Sequence, residues 1–431
     1  MKIFKEKENN FFENLKSLLD FKIDEDIELI DQSVKNIIND VKLNGDRALI
    51  KYTKKFDNTE LKESEILITK ETIAKNKKKI DKKLINSFKL AIKNITNFHK
   101  KQFPRNYEIN KNNSVIGSSW KPIESVGLYV PGGKASYPSS LLMSVIPAKV
   151  AGVERIAIVT PSTNGYINPY ITSLADILDI KEMYQVGGPQ AIAALAFGTS
   201  SIKSVNKIFG PGNAYVASAK KQVFGKVGID LIAGPSEIVV VADKDNNPDW
   251  VASDLIAQAE HDEKAKSILI TDDEGFAKDV SKSVRKFMKL LPKQETIEKS
   301  INTHGAILIL DNLKDSAKVI NIIAPEHLHL QNKLAEHIFK EVKNAGCIFL
   351  GSYSSEAFGD YIIGTNHILP TSGSAKFSSG LGVLDFMKRS SFVRINKESY
   401  KSLSNHVIEM ASIENLEGHK LSVKIRQKDK K

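Results

Sequence analysis

The sequence predicts an α/β protein built on two parallel-rich sheets, and three observations lead to this fold class. Short apolar runs recur along the chain, and a glycine-bearing turn and a helical segment follow these runs. The pattern of charged and apolar residues changes near residues 229–236. Strands that alternate with helices form parallel sheets with crossover connections. The eight predicted strands are residues 126–130, 155–160, 183–186, 207–209, 238–242, 267–271, 306–310 and 347–350.

The two ends of the chain differ from this alternating middle part. The first 120 residues are predicted to be mainly helical, because apolar residues recur about every 3.6 positions over residues 24–44 and again over 84–99. From Gly382 onward the chain is predicted to be helical again and to end in a short basic tail. A chain of 431 residues is too long for one ordinary core, so two or three packed units are expected.

Composition excludes several classes of protein. With 41% hydrophobic and 26% charged residues, the chain has the balance of a globular protein. No apolar run reaches the length of a membrane span, and residues 1–10 lack the apolar stretch of a signal peptide. A cytoplasmic protein with no membrane partner is therefore expected. The net charge of +11 comes mostly from lysines at helical spacing with apolar residues, which predicts a solvated helix face and no nucleic-acid partner.

Cys347 is the single cysteine of the chain. It excludes an intrachain disulfide and any cysteine-rich metal site. Aldehyde oxidation can use a cysteine thiolate as nucleophile, but Cys347 begins the apolar run Cys-Ile-Phe-Leu. It is therefore predicted to be a small buried hydrophobe.

Three glycine turns lie at the carboxyl ends of predicted strands. They are Val-Pro-Gly-Gly at 130–133, Gly-Gly-Pro-Gln at 187–190 and Gly-Pro-Gly-Asn at 210–213. Glycines at such places let the backbone approach a ligand and let helix N–H groups bind an anion, and open α/β sheets bind ligands at this edge. None of the turns matches the GxGxxG fingerprint. Together they indicate an anionic or nucleotide ligand, although each alone is equally well an ordinary tight turn.

A helix predicted to begin near Pro248 carries a candidate metal face. Asp254, Gln258 and His261 follow one another at i, i+4 and i+7, and an amide oxygen with an imidazole nitrogen can bind one metal ion. Isolated residues of these types are more often polar surface groups. Before the strand at 238–242, Ser236 is placed either to bind a ligand or to cap its own turn.

Glu326 and His327 form the candidate acid–base pair. They follow a proline at a predicted helix–loop junction, where a carboxylate and an imidazole can serve as general acid or base; the alternative is a plain helix start. His329 is predicted to face away from His327. Asp360 lies in a glycine-punctuated stretch, residues 359–370, which is predicted to be either a functional loop or an ordinary solvated connection.

Together with Ile-Asn-Asp-Val-Lys-Leu-Asn-Gly-Asp-Arg-Ala at 38–48 and Tyr-Thr-Lys-Lys-Phe-Asp at 52–57, these motifs resemble the histidinol dehydrogenase family over nearly the whole chain. The resemblance implies an NAD-dependent enzyme of the last step of histidine biosynthesis, which oxidises L-histidinol to L-histidine through bound L-histidinaldehyde with two NAD⁺. The implied catalytic residues are Glu326 and His327, and the implied ligands of one Zn²⁺ per subunit are Gln258, His261, Asp360 and His419. The implied substrate contacts are Ser236, Gln258, His261, His327, Asp360, Glu414 and His419, and the implied NAD⁺ contacts are Tyr129, Gln190 and Asn213.

The resemblance also implies two incomplete Rossmann-like domains, an N-terminal helical arm and a small C-terminal domain. Applied to this chain, the arm is residues 1–23, the zinc and substrate α/β domain is 24–125 with 236–381, the NAD-binding α/β domain is 126–235 and the C-terminal domain is 382–431. The resemblance further implies a homodimer whose active sites are shared between the two subunits. Glu414 and His419, which carry no specific signal of their own, would then act in the partner's site.

Two other classes of protein compete with this interpretation. A zinc-dependent hydrolase could use Glu326 to activate water without a redox step, but the three glycine turns would then have no role. A nucleic-acid-binding protein would account for the charge of +11, but the acid–imidazole pair would then be idle.

Overall fold

The computed structural model describes residues 1–19, 26–77, 80–111, 114–132, 137–232 and 234–427. The predicted turn residue Gly133 and the end of the basic tail lie outside these ranges. The strands are β1 (Lys2–Lys5), β2 (Tyr107–Lys111), β3 (Ser114–Pro122), β4 (Ser125–Tyr129), β5 (Arg155–Val159), β6 (Glu182–Tyr184), β7 (Lys207–Phe209), β8 (Gly228–Ile229), β9 (Glu237–Val241), β10 (Lys266–Thr271), β11 (Ala306–Ile309), β12 (His327–Leu330), β13 (Cys347–Leu350) and β14 (Met387–Arg394). The helices are α1 (Phe11–Leu19), α2 (Asp26–Asn44), α3 (Asp46–Asp57), α4 (Lys70–Lys77), α5 (Lys82–Lys100), α6 (Pro138–Ala151), α7 (Pro169–Ile177), α8 (Gly188–Phe197), α9 (Ala214–Val223), α10 (Pro248–Ala259), α11 (Glu274–Met288), α12 (Gln294–Thr303), α13 (Ser316–Ile323), α14 (Ala335–Glu341), α15 (Glu356–Tyr361), α16 (Lys397–Ile413) and α17 (Glu417–Gln427).

The described chain divides into two compact units. The larger unit is Met1–Gln102 with Ile123–Phe386, and the smaller unit is Phe103–Pro122 with Met387–Lys431. The larger unit contains two parallel sheets, one of five strands and one of six. The smaller unit contains a three-stranded antiparallel sheet, β14-β3-β2, and the helices α16 and α17.

The five-stranded sheet has the order β6-β5-β4-β7-β8, and all its strands are parallel. Numbered within the sheet, this order is 3-2-1-4-5, which is the dinucleotide-binding order without its sixth strand. The six-stranded sheet, β1-β11-β10-β9-β12-β13, is also parallel. Without β1 at its edge, it repeats the same 3-2-1-4-5 order. The prediction of two incomplete Rossmann-like sheets is therefore confirmed.

Alternation along the central strand β9 places helices on both faces of the six-stranded sheet. Ile238 and Val240 pack with residues of α10, α11 and α12. Val239 and Val241 pack on the other face with residues of α1, α13 and α14. All five residues of β9 are buried, as expected for a strand covered on both faces.

All eight predicted strands are present, but short or polar strands were missed. Strand β2 is exposed throughout and β14 is mostly exposed, so neither contains the buried apolar run by which the eight predicted strands were recognised. The prediction of a mainly helical start and a helical end is wrong at these strands. Residues 1–19 likewise contain a strand, β1, before the helix α1.

No helix in the described part of the chain is both long enough and apolar enough to cross a membrane.

Candidate active site

Glu326 and His327 lie where β12 begins, at the amino edge of the six-stranded sheet. Helix α13 ends at Ile323, Ala324 turns the chain with a left-handed φ of 51°, and β12 starts at His327. The pair is thus at a loop–strand junction, and neither the predicted helix–loop junction nor a helix start is correct. His-Leu-His-Leu is too short and too polar at alternate positions to be recognised as a strand. Both side chains are buried.

The peptide backbone of Glu237, at the start of the neighbouring strand β9, contacts both residues of the pair. Its N–H donates a hydrogen bond to Glu326 Oε2 at 2.9 Å, and its carbonyl oxygen lies 3.3 Å from His327 Nδ1. A carbonyl can only accept, so this contact favours a proton on Nδ1 and makes Nε2 the nitrogen that gains or loses the second proton. The Glu237 side chain is itself held by Lys266 Nζ at 3.2 Å and by the Ser372 N–H at 3.1 Å.

Helix α15 brings two more carboxylates to His327. Glu356 Oε1 lies 3.5 Å from His327 Nδ1, and Asp360 Oδ1 lies 3.5 Å from its Nε2. The two acids are one helical turn apart and therefore share a face. Asp360 thus lies in a short helix and not in the predicted loop, and Glu356 was missed. Its i, i+4 spacing from Asp360 is the signal that could have found it.

Burial and mutual charge control the protonation of this cluster. Burial raises the pKa of Glu326 to about 7 and that of Glu356 to about 8. Burial also disfavours the charged form of His327, but the nearby Glu356, Glu326 and Asp360 outweigh burial and raise the pKa of the imidazole well above its usual range. A cation brought to Asp360 would therefore compete with His327 for these carboxylates.

Helix α10 packs on the face of the six-stranded sheet that Ile238 and His327 share. It carries residues that were predicted to bind a metal. Gln258 is fully buried, and both atoms of its amide are without a hydrogen-bond partner among the residues described. Such a group costs about 1–3 kcal/mol unless a ligand or water satisfies it. His261 is exposed just beyond the helix. Partial desolvation lowers the pKa of His261, and the negative charge of Asp360 opposes this change.

The donor atoms at this edge fit a zinc ion. His327, Glu356 and Asp360 offer three ligand atoms within 4.8 Å of one another, and on the neighbouring helix α10 the amide oxygen of Gln258 has no partner among the described residues. Zinc binds nitrogen and oxygen ligands of these kinds. Asp360 belongs both to this cluster and to the ligand set that the resemblance implies, whereas His327 and Glu356 belong only to the cluster.

His329 shares a face with His327, so the prediction that it faces away is wrong. Residues two apart in a strand point to the same side of the sheet, and the rings of both histidines lie 6.2 Å from the ring of Phe349. His329 is nevertheless committed elsewhere, because its Nδ1 lies 3.1 Å from Asp254 Oδ2. Asp254 also accepts a hydrogen bond from Gln331 Nε2 at 2.7 Å. The Asp254 carboxylate therefore supports the fold behind the site.

The residues implied for NAD⁺ lie at the carboxyl edge of the five-stranded sheet. Tyr129 ends β4, and its hydroxyl accepts a hydrogen bond from the Gly188 N–H at 3.2 Å. Gln190, in the first turn of α8, is fully buried, and its amide has no partner within the described ranges. These groups lie at the edge where the glycine turns predicted a ligand, and Gln190 has the unsatisfied atoms of a ligand-binding residue.

The third glycine turn is held rigidly at the same edge. Gly210 has a φ of +115°, and a Cβ there would lie 2.1 Å from the Tyr129 carbonyl oxygen, so only glycine fits. Its N–H donates to Asp230 Oδ2 at 2.8 Å and its carbonyl accepts from Lys220 Nζ at 2.9 Å. Asn213 follows as the cap of α9, with its Oδ1 accepting from the Val216 N–H.

His367 connects, within the larger unit, the site at the amino edge of the six-stranded sheet with the carboxyl edge of the five-stranded sheet. Its Nδ1 lies 3.0 Å from the Asp360 carbonyl oxygen, and its Nε2 lies 3.1 Å from Ser140 Oγ in the first turn of α6. Because α6 follows β4, its start lies at the carboxyl edge of the five-stranded sheet. Ser236 is half-buried immediately before β9, beside the Glu237 peptide.

Cys347 lies closer to this site than the sequence suggested. It pairs in register with His327 across β12 and β13 and is only half-buried. Burial raises the pKa of its thiol, although the charge of His327 opposes this. The thiol therefore stays protonated near neutral pH and is a poor nucleophile.

Glu414 and His419 belong to the smaller unit. Glu414 ends α16 as its cap, His419 lies in the first turn of α17, and both side chains are exposed. The structure of the single chain thus brings Glu326, His327 and Asp360 together, places His261 within the electrostatic influence of Asp360, and leaves Glu414 and His419 at the surface of their own unit.

Comparison with known proteins gives a consistent result. A sequence model described as histidinol dehydrogenase matches residues 22–427. The chain is 48% identical over 398 residues to a histidinol dehydrogenase of Agrobacterium fabrum, covering 92% of both chains, and 46% identical over 405 residues to one of Bacillus cereus, covering 94% of both. The crystal structure of histidinol dehydrogenase from Elizabethkingia anophelis superposes with a TM-score of 0.93 at 35% identity, over 99% of this chain and 98% of that one.

Proposed function

Because the chain belongs to the histidinol dehydrogenase family, we propose that Glu326 and His327 divide between them the two oxidations that convert L-histidinol to L-histidine. The family comprises NAD-dependent oxidoreductases that catalyse the final step of histidine biosynthesis with NAD⁺ and zinc. The observation that best supports the proposal is the backbone of Glu237, whose N–H contacts Glu326 and whose carbonyl contacts His327.

In the first oxidation, His327 is the general base. Its Nδ1 contacts the Glu237 carbonyl, so Nε2 takes the hydroxyl proton of L-histidinol. NAD⁺, when bound, accepts the hydride from the same carbon, and L-histidinaldehyde remains in the site. The loss of one hydride and one proton balances the oxidation of the alcohol to the aldehyde.

In the second oxidation, Glu326 is the general base. It takes a proton from water, whose oxygen adds to the aldehyde carbon, and the resulting hydrate loses a hydride to a second NAD⁺ and a proton to solvent to give the carboxylate. A pKa of about 7 suits this role, because the group is then partly ionised at neutral pH and still basic enough to accept a proton. The protonated thiol of Cys347 has no part in this scheme.

The proposed zinc ligands are Gln258, His261, Asp360 and the partner subunit's His419. Zinc, when bound, would hold the imidazole and amine of the substrate and lower the pKa of His327 through its positive charge. Ser236 and the partner subunit's Glu414 would add polar contacts to the substrate.

The proposed NAD⁺ site is the carboxyl edge of the five-stranded sheet, with Tyr129, Gln190 and Asn213 in contact with the cofactor. The rigid turn at Gly210 and the unsatisfied amide of Gln190 support this placement. The same placement agrees with the proposed NAD-binding α/β domain, residues 126–235. We retain this range as a domain separate from the substrate-binding segments.

We further propose a cytoplasmic homodimer in which the smaller unit completes the partner's site. A contiguous patch of exposed apolar side chains marks a protein-binding surface. Helices α16 and α17 expose Met410, Ile413, Leu421 and Ile425, on the same segment that carries Glu414 and His419.

Feeding the two substrates separately tests the division of labour. His327→Asn should slow oxidation of histidinol by about 10²–10⁴-fold. Glu326→Gln should slow oxidation of histidinaldehyde by a similar factor and histidinol consumption less. His337→Asn and Glu336→Gln, which change exposed residues of α14, serve as controls. Equal losses on both substrates in both variants would refute the division.

Subunit mixing tests the shared site and the ligands. His261→Asn and His419→Asn should each lose zinc and activity, whereas His327→Asn should lose activity and keep zinc. After verified exchange of the two inactive zinc-site variants, roughly a quarter of wild-type activity should return, because half of the dimers are mixed and each contains one intact site. No recovery would show that His419 does not act in the partner's site.

A further inference from the structure

Asp57 is a carboxylate for which the function described so far has no use. It is the last residue of α3 and closes the motif at 52–57. The side chain is half-buried, yet its Oδ2 atom is shielded from solvent and has no hydrogen-bond partner in the part of the chain that the structure describes. An ionised oxygen in this state is costly and indicates a missing partner.

The backbone around Asp57 is fastened to the loop that follows β5. The Asn164 N–H donates to the Asp57 carbonyl at 3.1 Å. The Thr59 hydroxyl donates to the Ser162 carbonyl at 2.7 Å and accepts from the Gly165 N–H at 2.9 Å. Asp57 is thereby fixed beside the carboxyl end of the second strand of the five-stranded sheet.

The carboxylate also lies near the proposed cofactor residues. Burial is the main cause that raises the pKa of Tyr129 to about 12, and the negative charge of Asp57 contributes in the same direction. The Tyr129 hydroxyl in turn contacts the start of α8, where Gln190 lies. Asp57, Tyr129 and Gln190 therefore border one region of the carboxyl edge.

An acid at this place has a known chemical use in sheets of this order. In dinucleotide-binding sheets, an Asp or Glu after the second strand accepts hydrogen bonds from the adenosine ribose and disfavours a 2′-phosphate. Here the residues after β5 are Thr-Pro-Ser-Thr-Asn at 160–164, which include no acid. Asp57 brings a carboxylate to the same strand end from a helix outside the sheet.

We infer that Asp57 is the cofactor-specificity residue of this chain, whose carboxylate binds the adenosine ribose hydroxyls of NAD⁺ and excludes NADP⁺. The inference rests on the proposed cofactor site at this edge. A purely structural role does not account for Asp57, because within the described residues nothing donates to its buried Oδ2. Burial raises the pKa of Asp57 to about 6, so the group is mainly ionised at neutral pH, as a ribose acceptor and a phosphate-repelling group require.

Calorimetric titration of the full-length protein with NAD⁺, NADP⁺, ADP-ribose and nicotinamide mononucleotide tests this inference without turnover. Asp57→Asn should weaken NAD⁺ and ADP-ribose about 10- to 100-fold. It should leave nicotinamide mononucleotide unchanged and narrow the preference for NAD⁺ over NADP⁺. Asp57→Glu, which keeps the charge, should keep the preference for NAD⁺. Glu60→Gln is the matched control, because Glu60 is exposed and pairs only with Lys54 among the described ion pairs.

The Gln190→Ala variant separates failure of this inference from failure of the proposed site. If Gln190→Ala weakens NAD⁺ and Asp57→Asn does not, the cofactor site stands and the role of Asp57 is refuted. If Asp57→Asn weakens nicotinamide mononucleotide as much as ADP-ribose, its effect is general damage to the site and the inference is also wrong. If both variants bind NAD⁺ like the wild type, the cofactor does not bind at this edge, and both proposals fail.

Discussion

Replacing Asp57 by Asn should stabilise the ligand-free protein at neutral pH. Burial raises the pKa of this carboxyl from 3.8 to about 6, and each pKa unit corresponds to about 1.4 kcal/mol. Full desolvation would therefore cost the folded state about 3 kcal/mol at pH 7. Because the side chain is only half-buried, solvent screening reduces the expected gain to about 1–2 kcal/mol. The negative charge at the end of α3, which opposes the helix dipole, acts in the same direction.

The pH dependence gives this prediction its sharpest test. Between about pH 4 and pH 6 the folded state binds more protons at Asp57 than the unfolded state, so this group lowers stability as pH rises through that window. The advantage of Asp57→Asn should be full at pH 7 and fall towards zero near pH 4. Thermal unfolding of wild type, Asp57→Asn and the Glu60→Gln control at both pH values measures it. A constant difference at both pH values, or a less stable variant at pH 7, would contradict the reasoning.

Three further predictions concern the active site. Oxidation of histidinaldehyde should slow as pH falls below about 7, because the pKa of Glu326 is raised to about 7 and its protonated form cannot accept a proton; a pH–rate profile of Glu326→Asp should shift, and an unchanged profile would exclude Glu326 as the base. Cys347→Ala should keep most activity in a steady-state assay, because burial keeps the thiol protonated; loss of turnover in a folded variant would restore a thiol mechanism. Chelation should remove zinc and activity without changing the circular dichroism spectrum, because both sheets have their own apolar cores; unfolding on chelation would show that the metal is structural.

Periodicity and residue type were enough to predict eight of the eleven strands described in the two parallel sheets, and their grouping into two sheets. Strand β9 is a run of buried Val and Ile, and such runs are recognisable without knowledge of their neighbours. Strand β12 was missed because its polar residues are satisfied by partners distant in sequence, such as Asp254 and the Glu237 peptide. A single sequence does not contain those distances.

The candidate site was predicted unevenly for the same reason. Asp360 was chosen by resemblance, but Glu356 was missed, because its proximity to His327 depends on where α15 packs. The amino-edge location of the acid–base pair was not predicted either. The general rule for open sheets refers to the carboxyl edge, and only the five-stranded sheet follows it in the present proposal.

The backbone of Glu237 contacts both Glu326 and His327, and this bears on how the two proposed oxidations share one site. The N–H and the carbonyl of Glu237 belong to two consecutive peptide units that meet at its Cα, and strand β9 is hydrogen-bonded to a parallel strand on each side, so the sheet limits how far these two groups move relative to each other. Glu326 and His327 are therefore both held against one residue at the start of a sheet strand. In the proposed mechanism, the aldehyde intermediate can stay in place between the two oxidations, and only the residue that accepts the proton changes. A shift of the β9 backbone at Glu237 would therefore disturb the contacts of both Glu326 and His327.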